Sequence, residues 1–277
     1  YRDNRTTRKA FSHFPYVNGF YSEASVFYLE DNSDILLTFE KKFGNFSVKA
    51  IGGANRLNQR LEEIRASTDI DGLVIPGLYS LSNSRSPVIA SNFLSRKRIN
   101  SVYGGVTIGL NDYLFLDITG RNDWSSTLPK GNNSFFYPSV SLSAVITDML
   151  HLRLTSPTDF IKARLSYSEV GNDTDPYQTN TITVAGRTTQ GISVNSVVGR
   201  LGNAQLKPEN IVSMEAGIEA SLFNNRISFD ATIYTIENRQ QIAVVPIATE
   251  SGFLERTINV PASIKNRGVE ISATFTP

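Results

Sequence analysis

The chain of 277 residues contains no cysteine, so disulfides and thiolate chemistry are excluded outright. It has only two histidines, His13 and His151. Each stands without a nearby histidine or paired carboxylate at ligand spacing, which removes the usual basis for a metal site. No G-x-S-x-G is present, so nucleophilic catalysis has no sequence signal. A barrel hydrolase built on a luminal Ser–His pair would need His151, which falls in a turn, a poor place for it. Nowhere do eighteen apolar residues follow one another, so no transmembrane helix is expected. The formal net charge of +1 gives no reason to invoke nucleic acid or a strongly charged partner. No repeat of 20–50 residues is found beyond a rhythm of hairpins. No cofactor is expected.

What remains is alternation. In Ser101–Asp123, Val102, Val106, Ile108 and Leu110 alternate with Tyr103, Gly105, Thr107 and Gly109. After an Asn111-Asp112 turn, Leu114, Leu116 and Ile118 alternate with Asp117, Thr119 and Arg121. Each arm is about nine to eleven residues long, the length of a tilted strand crossing a bilayer. Ordinary globular strands run nearer five or six residues. The pair 211–238 repeats the pattern: Met214, Ala216, Ile218 and Ala220 oppose Glu215 and Glu219. After Asn224, Ile227, Phe229, Ala231 and Ile233 oppose Arg226, Ser228 and Asp230. The fold class this predicts is all-β: an antiparallel transmembrane β-barrel segment of about ten strands, with one face to lipid and one to an aqueous lumen. A 40% hydrophobic content does not contradict this, because a barrel hides its apolar residues in the alternation.

The ten strands are expected near 18–30, 34–43, 45–57, 98–110, 113–122, 137–147, 160–170, 211–222, 225–238 and 266–275. Short turns are expected at Asn32-Ser33, Gly44, Asn111 and Asn224, and a moderate one at 148–159. Long loops are expected at 58–97, 123–136, 171–210 and 239–265. Long and short connections then alternate from the third strand onward, so the long loops are expected outside the cell and the short turns in the periplasm. Leu57–Ala66 places Leu57, Leu61 and Ile64 at helical spacing and is the one candidate helix, inside a loop. Gly52-Gly53 and Gly104-Gly105 lie inside strands and are read as relief of crowding, with no helix behind them to make a phosphate cradle. Asn172, Asp173 and Asp175 could form a cation loop, but the glycine and distal glutamate of an EF-hand are missing; a plain polar turn is the other reading. The N-x-S/T matches, Asn4-Arg5-Thr6 among them, are read as chance. Aromatics collect near predicted strand ends: Phe43, Phe46, Tyr113 and Phe223 at one, Phe135, Phe136 and Tyr137 at the other, as interfacial girdles would. The alternative is core packing in a soluble sandwich, which fits poorly with the charges on the opposing face.

Candidate lumen-facing residues are Asp117, Arg121, Glu215, Glu219, Arg226 and Asp230, with Glu40, Lys42 and Lys49 on the same face. Candidate loop contacts for a solute are Trp124, Tyr79, Tyr177 and Phe253. Tyr1 is not an initiator methionine, and the last residues form an alternating strand that stops without a turn. The chain is therefore expected to be a segment of something larger.

Four pieces in order carry a family resemblance. Arg121–Met149 (RNDWSSTLPKGNNSFFYPSVSLSAVITDM) resembles the D-W-S-S-x-L-P loop and F-Y-P-S-x-S strand of SusC/RagA-type TonB-dependent outer-membrane transporters. Ile161–Asn172 (IKARLSYSEVGN) resembles that family's K-x-R-x-S-Y-x-x-x-G-N strand. Leu206–Glu209 (LKPE) with Glu215 and Gly217, and Asn266–Ile271 (NRGVEI), resemble two further strand starts. The first hundred residues agree in style only. The resemblance implies a barrel of 22 strands with an N-terminal plug and a TonB box. Residues 1–277 would be part of that one barrel domain, without the plug and the remaining strands. It also implies a SusD-like surface lipoprotein as lid, TonB as the energy-coupling partner, outer-membrane lipid around the wall, and an oligosaccharide or peptide as substrate. A barrel with an assembly or surface-anchoring role is the alternative.

Overall fold

The computed structural model describes residues 2–8, 18–152, 158–189, 192–197 and 199–276. Fifteen strands are described: β1 Arg2–Arg8, β2 Phe20–Phe43, β3 Phe46–Ser67, β4 Ile89–Leu110, β5 Leu114–Ser125, β6 Ser134–Val145, β7 Thr158–Asn172, β8 Thr183–Thr189, β9 Ile192–Val197, β10 Arg200–Leu201, β11 Glu209–Leu222, β12 Ile227–Arg239, β13 Ile242–Pro246, β14 Glu255–Asn259 and β15 Ser263–Phe275. The single short α-helix among the described residues, α1, is Ile146–Met149. Ten strands make the main sheet, in the order β1-β2-β3-β4-β5-β6-β7-β11-β12-β15. Neighbours in space are neighbours in sequence except where small loop sheets intervene. β1 and β15 stand at the two ends of this order.

At the N-terminal side the structure corrects two expectations. No turn interrupts 18–43: Asn32 and Ser33 lie within the 24-residue β2. The helical spacing of Leu57–Ala66 is overridden, because those residues continue β3 to Ser67. Helical spacing is a weak preference when a neighbouring strand supplies a ladder for every backbone group. The loop expected at 58–97 is correspondingly only 68–88. The number of strands in the main sheet agrees with expectation through two compensating differences, since the residue pattern does not announce β1 and two expected strands are one.

The chain divides into two compact units. The first comprises Tyr1–Asn32 and Leu57–Arg98. In it β1 pairs antiparallel with β2, Arg2 opposite Val26 and Arg8 opposite Phe20. Its 68–88 connection is ordered around Leu73, which is fully buried, and Asn83. The Asn83 amide accepts from the Ile75 N–H at 3.1 Å and donates to the carbonyls of Ile75 (2.9 Å) and Leu78 (2.7 Å). Gly72 has φ +77° and its missing Cβ would lie 2.6 Å from the Gly19 carbonyl, so no other residue fits there.

The second unit comprises Ser33–Arg56 and Ile99–Pro277. From β4 to β15 every pairing in its part of the main sheet is antiparallel and in continuous register, apart from one irregularity at Ser221/Leu222. The Asn111-Asp112 reversal holds both residues at positive φ, +50° and +60°, a conformation that asparagine and aspartate tolerate better than most. The same holds for Asn224 and Asn225. Consecutive antiparallel strands put successive connections at opposite ends, so 111–113, 146–157 and 223–226 share one end and 126–133, 173–208 and 240–262 the other. The expected alternation by length fails at one place: the 126–133 connection is shorter than 146–157. Topology, not length, separates the ends.

Buried hydrophobic residues are few among the described ones: Tyr21, Leu73, Leu128, Leu206 and Val212. Aliphatic residues on the long strands, such as Ile118, Leu165, Met214 and Ile233, are exposed. A soluble sandwich would bury those rows between two sheets, so that alternative does not describe this sheet. Apolar burial is concentrated instead in the connections. Leu128 and Leu206 are tied together by Asn132, whose amide donates to the carbonyls of Gln205 and Leu206 at 3.2 Å each.

Candidate site: the two faces of the β4–β15 wall

Because residues directly opposite in an antiparallel pair share a face, the register sorts the wall completely. One face carries the rows Ile108–Leu116–Leu142–Leu165–Ala216–Ile233–Val269 and Leu110–Leu114–Ala144–Ala163–Ile218–Ala231–Ile271. A shallow, mostly apolar groove there is lined by Val140, Leu142, Leu165, Met214 and Ile233, with Tyr167 and Thr235 beside them. Toward the end of the long connections this face turns polar. Tyr167 donates to Glu169, Asn210 to Glu169 (3.1 Å), and Arg239 to Glu237 (2.9 Å).

The other face carries Thr107–Asp117–Ser141–Ser166–Glu215–Tyr234–Gly268 and Gly109–Phe115–Ser143–Arg164–Gly217–Thr232–Glu270. Here side chains bond across strands. Thr107 donates to Asp117 at 2.5 Å, and Thr119 and Ser139 share a hydrogen bond of 2.7 Å. Arg121 lies 5.7 Å over the Tyr103 ring. It donates to Asp123 (2.8 Å) and Ser101 (2.8 Å), and Tyr137 donates to the second Asp123 oxygen at 2.5 Å. Asp123 and Ser101 are buried under this network. A depression beside it is lined by Tyr103, Thr119, Arg121, Tyr137, Ser139 and Ser168. Farther along, Arg164 holds Asp230 with two bonds of 2.7 and 2.9 Å and donates to Thr232 at 2.5 Å.

Glycines make these bridges possible. Arg164 on β7 reaches β12 by lying over Gly217 of β11, where a Cβ would come 2.6 Å from its Nε. Tyr103 on β4 lies over Gly53 of β3 and donates to both carboxylate oxygens of Asp34 on β2 at 2.9 Å. The reading of Gly53 as a place of close approach fits. Gly52, beside it, faces open space and relieves nothing.

The sequence-nominated residues fall as follows. Asp117, Arg121, Glu215, Glu219 and Asp230 share the polar face. Glu215 and Glu219 flank Gly217 and form no ion pair among the described residues. Arg226 lies in the exposed turn before β12, its N–H bonded to the Phe223 carbonyl at 3.3 Å. Lys42 pairs with Asp112 at 2.9 Å, both exposed. Trp124 lies within β5, not in a loop, opposite Asn100 and Ser134, and on the face of Ile118. Tyr177, at φ +68°, is exposed in the 173–208 connection. Phe253 is half-buried in the 240–262 connection, and Tyr79 is half-buried in the first unit. Phe136 and Tyr137 point to opposite faces, so only Phe136 joins an apolar-face aromatic band. Asp173 accepts from the hydroxyls of Ser125 and, at 3.1 Å, Thr127, and no three-residue metal cluster occurs among the described residues. His13 lies outside them. Sequence reasoning reads Tyr137 only as a strand-end aromatic and gives Arg164, Asp123 and Ser101 no role at the site. A signal for Arg164 is present, since Gly217 is a mid-strand glycine between two glutamates, and such a glycine marks a close approach.

The loop end is braced as well. Ser125 and Thr127 are buried on Asp173, so the loop after β5 is fastened to the chain after β7. Beyond it stands the small sheet β10-β14-β13, in which β10 runs parallel to β14. Gln178 accepts from Arg200 (3.1 Å) and from buried Thr257 (3.2 Å). Asn259 accepts from the Lys207 N–H (2.9 Å) and donates to the Lys207 carbonyl (2.8 Å), which fixes the L-K-P-E start of β11.

Comparison with known proteins agrees with this architecture. Two TonB-dependent receptors of Formosa agariphila, P26 and P3, are 28% and 26% identical to it over 253 and 249 residues, 88% and 87% of this chain. The chain spans about a quarter of their length. Among solved structures it is similar to the RagAB peptide transporter, with a TM-score of 0.83 at 20% identity, covering 98% of this chain and 30% of that one. It also resembles the alcaligin outer-membrane receptor FauA of Bordetella pertussis, with a TM-score of 0.56 at 16% identity over 93% of this chain and 38% of that one. The family described as "TonB dependent receptor-like, beta-barrel" matches residues 1–276. With an antiparallel wall of one apolar and one polar face and a family match over nearly its whole length, the chain belongs to the TonB-dependent receptor β-barrel family of the outer membrane.

Proposed function

We propose that residues 1–277 are part of the barrel of a SusC/RagA-type importer that takes up a peptide or an oligosaccharide with energy from TonB. One observation carries the reading. The rows through Leu114 and Leu116 are aliphatic from β4 to β15, and the rows through Asp117 and Ser143 carry hydroxyls, carboxylates and a guanidinium group on the opposite face. Such a wall suits lipid on one side and a watery passage on the other. On this reading Asp117, Arg121, Glu215, Glu219 and Asp230 line the passage, and the remainder of the barrel, the plug and the TonB box lie in the rest of the protein. The connections 126–133, 173–208 and 240–262 form part of the outer rim, with Tyr177 and Phe253 available to a solute or to a SusD-like lipoprotein lid. Trp124, on the apolar face, belongs to the membrane boundary. No enzymatic role is proposed.

The test uses the whole gene in its native host. Deletion should abolish growth on peptides or on oligosaccharides as sole nutrient, and the full-length gene should restore it. A version lacking its TonB-contacting segment should not. Unchanged growth on both nutrient classes, together with a weakened envelope or lost surface attachment, would favour the assembly or anchoring role. Sidedness is read separately. Lys130→Cys and Glu250→Cys should react with an impermeant maleimide on intact cells. Asn224→Cys should react only after the outer membrane is opened.

A further inference from the structure

Six tyrosines with described side chains stand on strands: Tyr21, Tyr28, Tyr103, Tyr137, Tyr167 and Tyr234. Five donate their hydroxyl to a carboxylate. Tyr21, Tyr28 and Tyr167 use the glutamate two residues on, Glu23, Glu30 and Glu169. Tyr137 crosses to Asp123, and Tyr103 crosses Gly53 to Asp34. Tyr234 alone has no hydrogen-bond partner among the described residues. Two residues on stands Ile236, which cannot accept, and Thr232, two residues back, is already engaged by Arg164.

The placement of Tyr234 nonetheless matches that of Tyr103. It lies over Gly268 of β15, directly opposite it in register, and a Cβ on Gly268 would sit 2.5 Å from the Tyr234 Cζ. The corresponding distance for Tyr103 over Gly53 is also 2.5 Å. The Tyr234 hydroxyl therefore points across β15 toward the edge at which the described sheet stops. Lipid cannot satisfy an open edge, so in a barrel another strand must pair there.

We propose that Tyr234 donates to an aspartate or glutamate on the barrel strand that pairs with the free edge of β15. This rests on the barrel architecture, and not on the choice of substrate. The completed bridges fix where that residue stands. Over Gly217, Arg164 reaches Thr232, opposite the glycine, and Asp230, two residues away. The partner of Tyr234 accordingly occupies the position opposite Gly268 or one of the two same-face positions two residues to either side. The bridge would be a third of the same kind, joining the wall described here to the rest of the barrel on its polar side.

The test uses full-length protein in detergent. Its structure gives the strand beside β15, and one of the three positions should hold a carboxylate. If none does, the proposal is overturned. Tyr234→Phe removes only the hydroxyl, and the partner acid is changed to alanine. Each single variant should lower the heat-unfolding midpoint, and the double variant should lower it no further than the worse single one. Additive shifts would show that the two groups do not interact and would overturn the bridge even with a carboxylate in place.

Discussion

The same strands present two chemistries, and the two faces are held together differently. On the apolar face the rows through Leu114 and Leu116 are aliphatic and build no network of polar bonds; each side chain contributes by area alone. On the polar face long side chains reach over glycines and fix one strand to the next but one, as Arg164 does over Gly217 and Tyr103 over Gly53. The difference teaches that a wall between two solvents needs packing on neither side in the manner of a soluble core. Lipid accepts the aliphatic face as it is. Water competes for every polar contact, so the wet face gains rigidity only where the geometry is bidentate or shielded.

Single substitutions can test that contrast, and the largest effect should come from charging the dry face. Ile118→Arg or Phe229→Arg near mid-strand should cost about 2–4 kcal/mol in denaturant unfolding of the full-length protein, whereas Thr119→Arg should cost little. Equal costs at Ile118 and Thr119 would erase the distinction between the faces. Next comes the shielded part of the wet face. Asp123→Ala strips Arg121 and Tyr137 of a shared acceptor and should cost about 1–3 kcal/mol, the penalty of leaving partly buried polar groups unsatisfied. A smaller loss, on the order of 1 kcal/mol, is expected for Gly217→Ala, because the new methyl displaces the Arg164 guanidinium from a half-exposed pair. Gly52→Ala, with nothing within 4 Å of its Cβ, is the control and should be neutral or slightly stabilising. The smallest loss among the polar contacts should follow Asp112→Asn. Its bond to Lys42 is fully wet, and its loss should move stability by less than about 0.5 kcal/mol and less still at high salt.

Much of the wall is legible in the residue order. A period of two with opposed chemistries specifies both a strand and its register. A slip of β6 by one residue would carry Leu142 and Ala144 into water, and Ser141 and Ser143 into lipid. That is why Leu114, Leu116 and Ile118 fall with Leu142 and Leu165, and why Asp117, Arg121, Glu215 and Asp230 share the opposite face. The hairpin at Asn111-Asp112 is equally readable, since few other residues tolerate positive φ. The long N-terminal strands are harder. Leu57, Leu61 and Ile64 fit a helix as well as a strand, and Asn32-Ser33 looks like a turn, so local preference points the wrong way at both.

Which residues meet is another matter. Alternation places Arg164 and Asp230 on one face, but Gly217 between them, and the absence of a side chain there, decides that they touch. Nothing local ties Asp173 to Ser125 and Thr127, or Asn259 to the backbone of Lys207, because each contact joins segments about fifty residues apart through loops with no periodicity. Residue order alone dictates that these strands separate an apolar face from a polar one, because the period of a strand is a property of the backbone. The bridges across the polar face, the clamped loops and the unanswered hydroxyl of Tyr234 depend on side chains distant in sequence meeting at one place, and only the folded sheet brings them there.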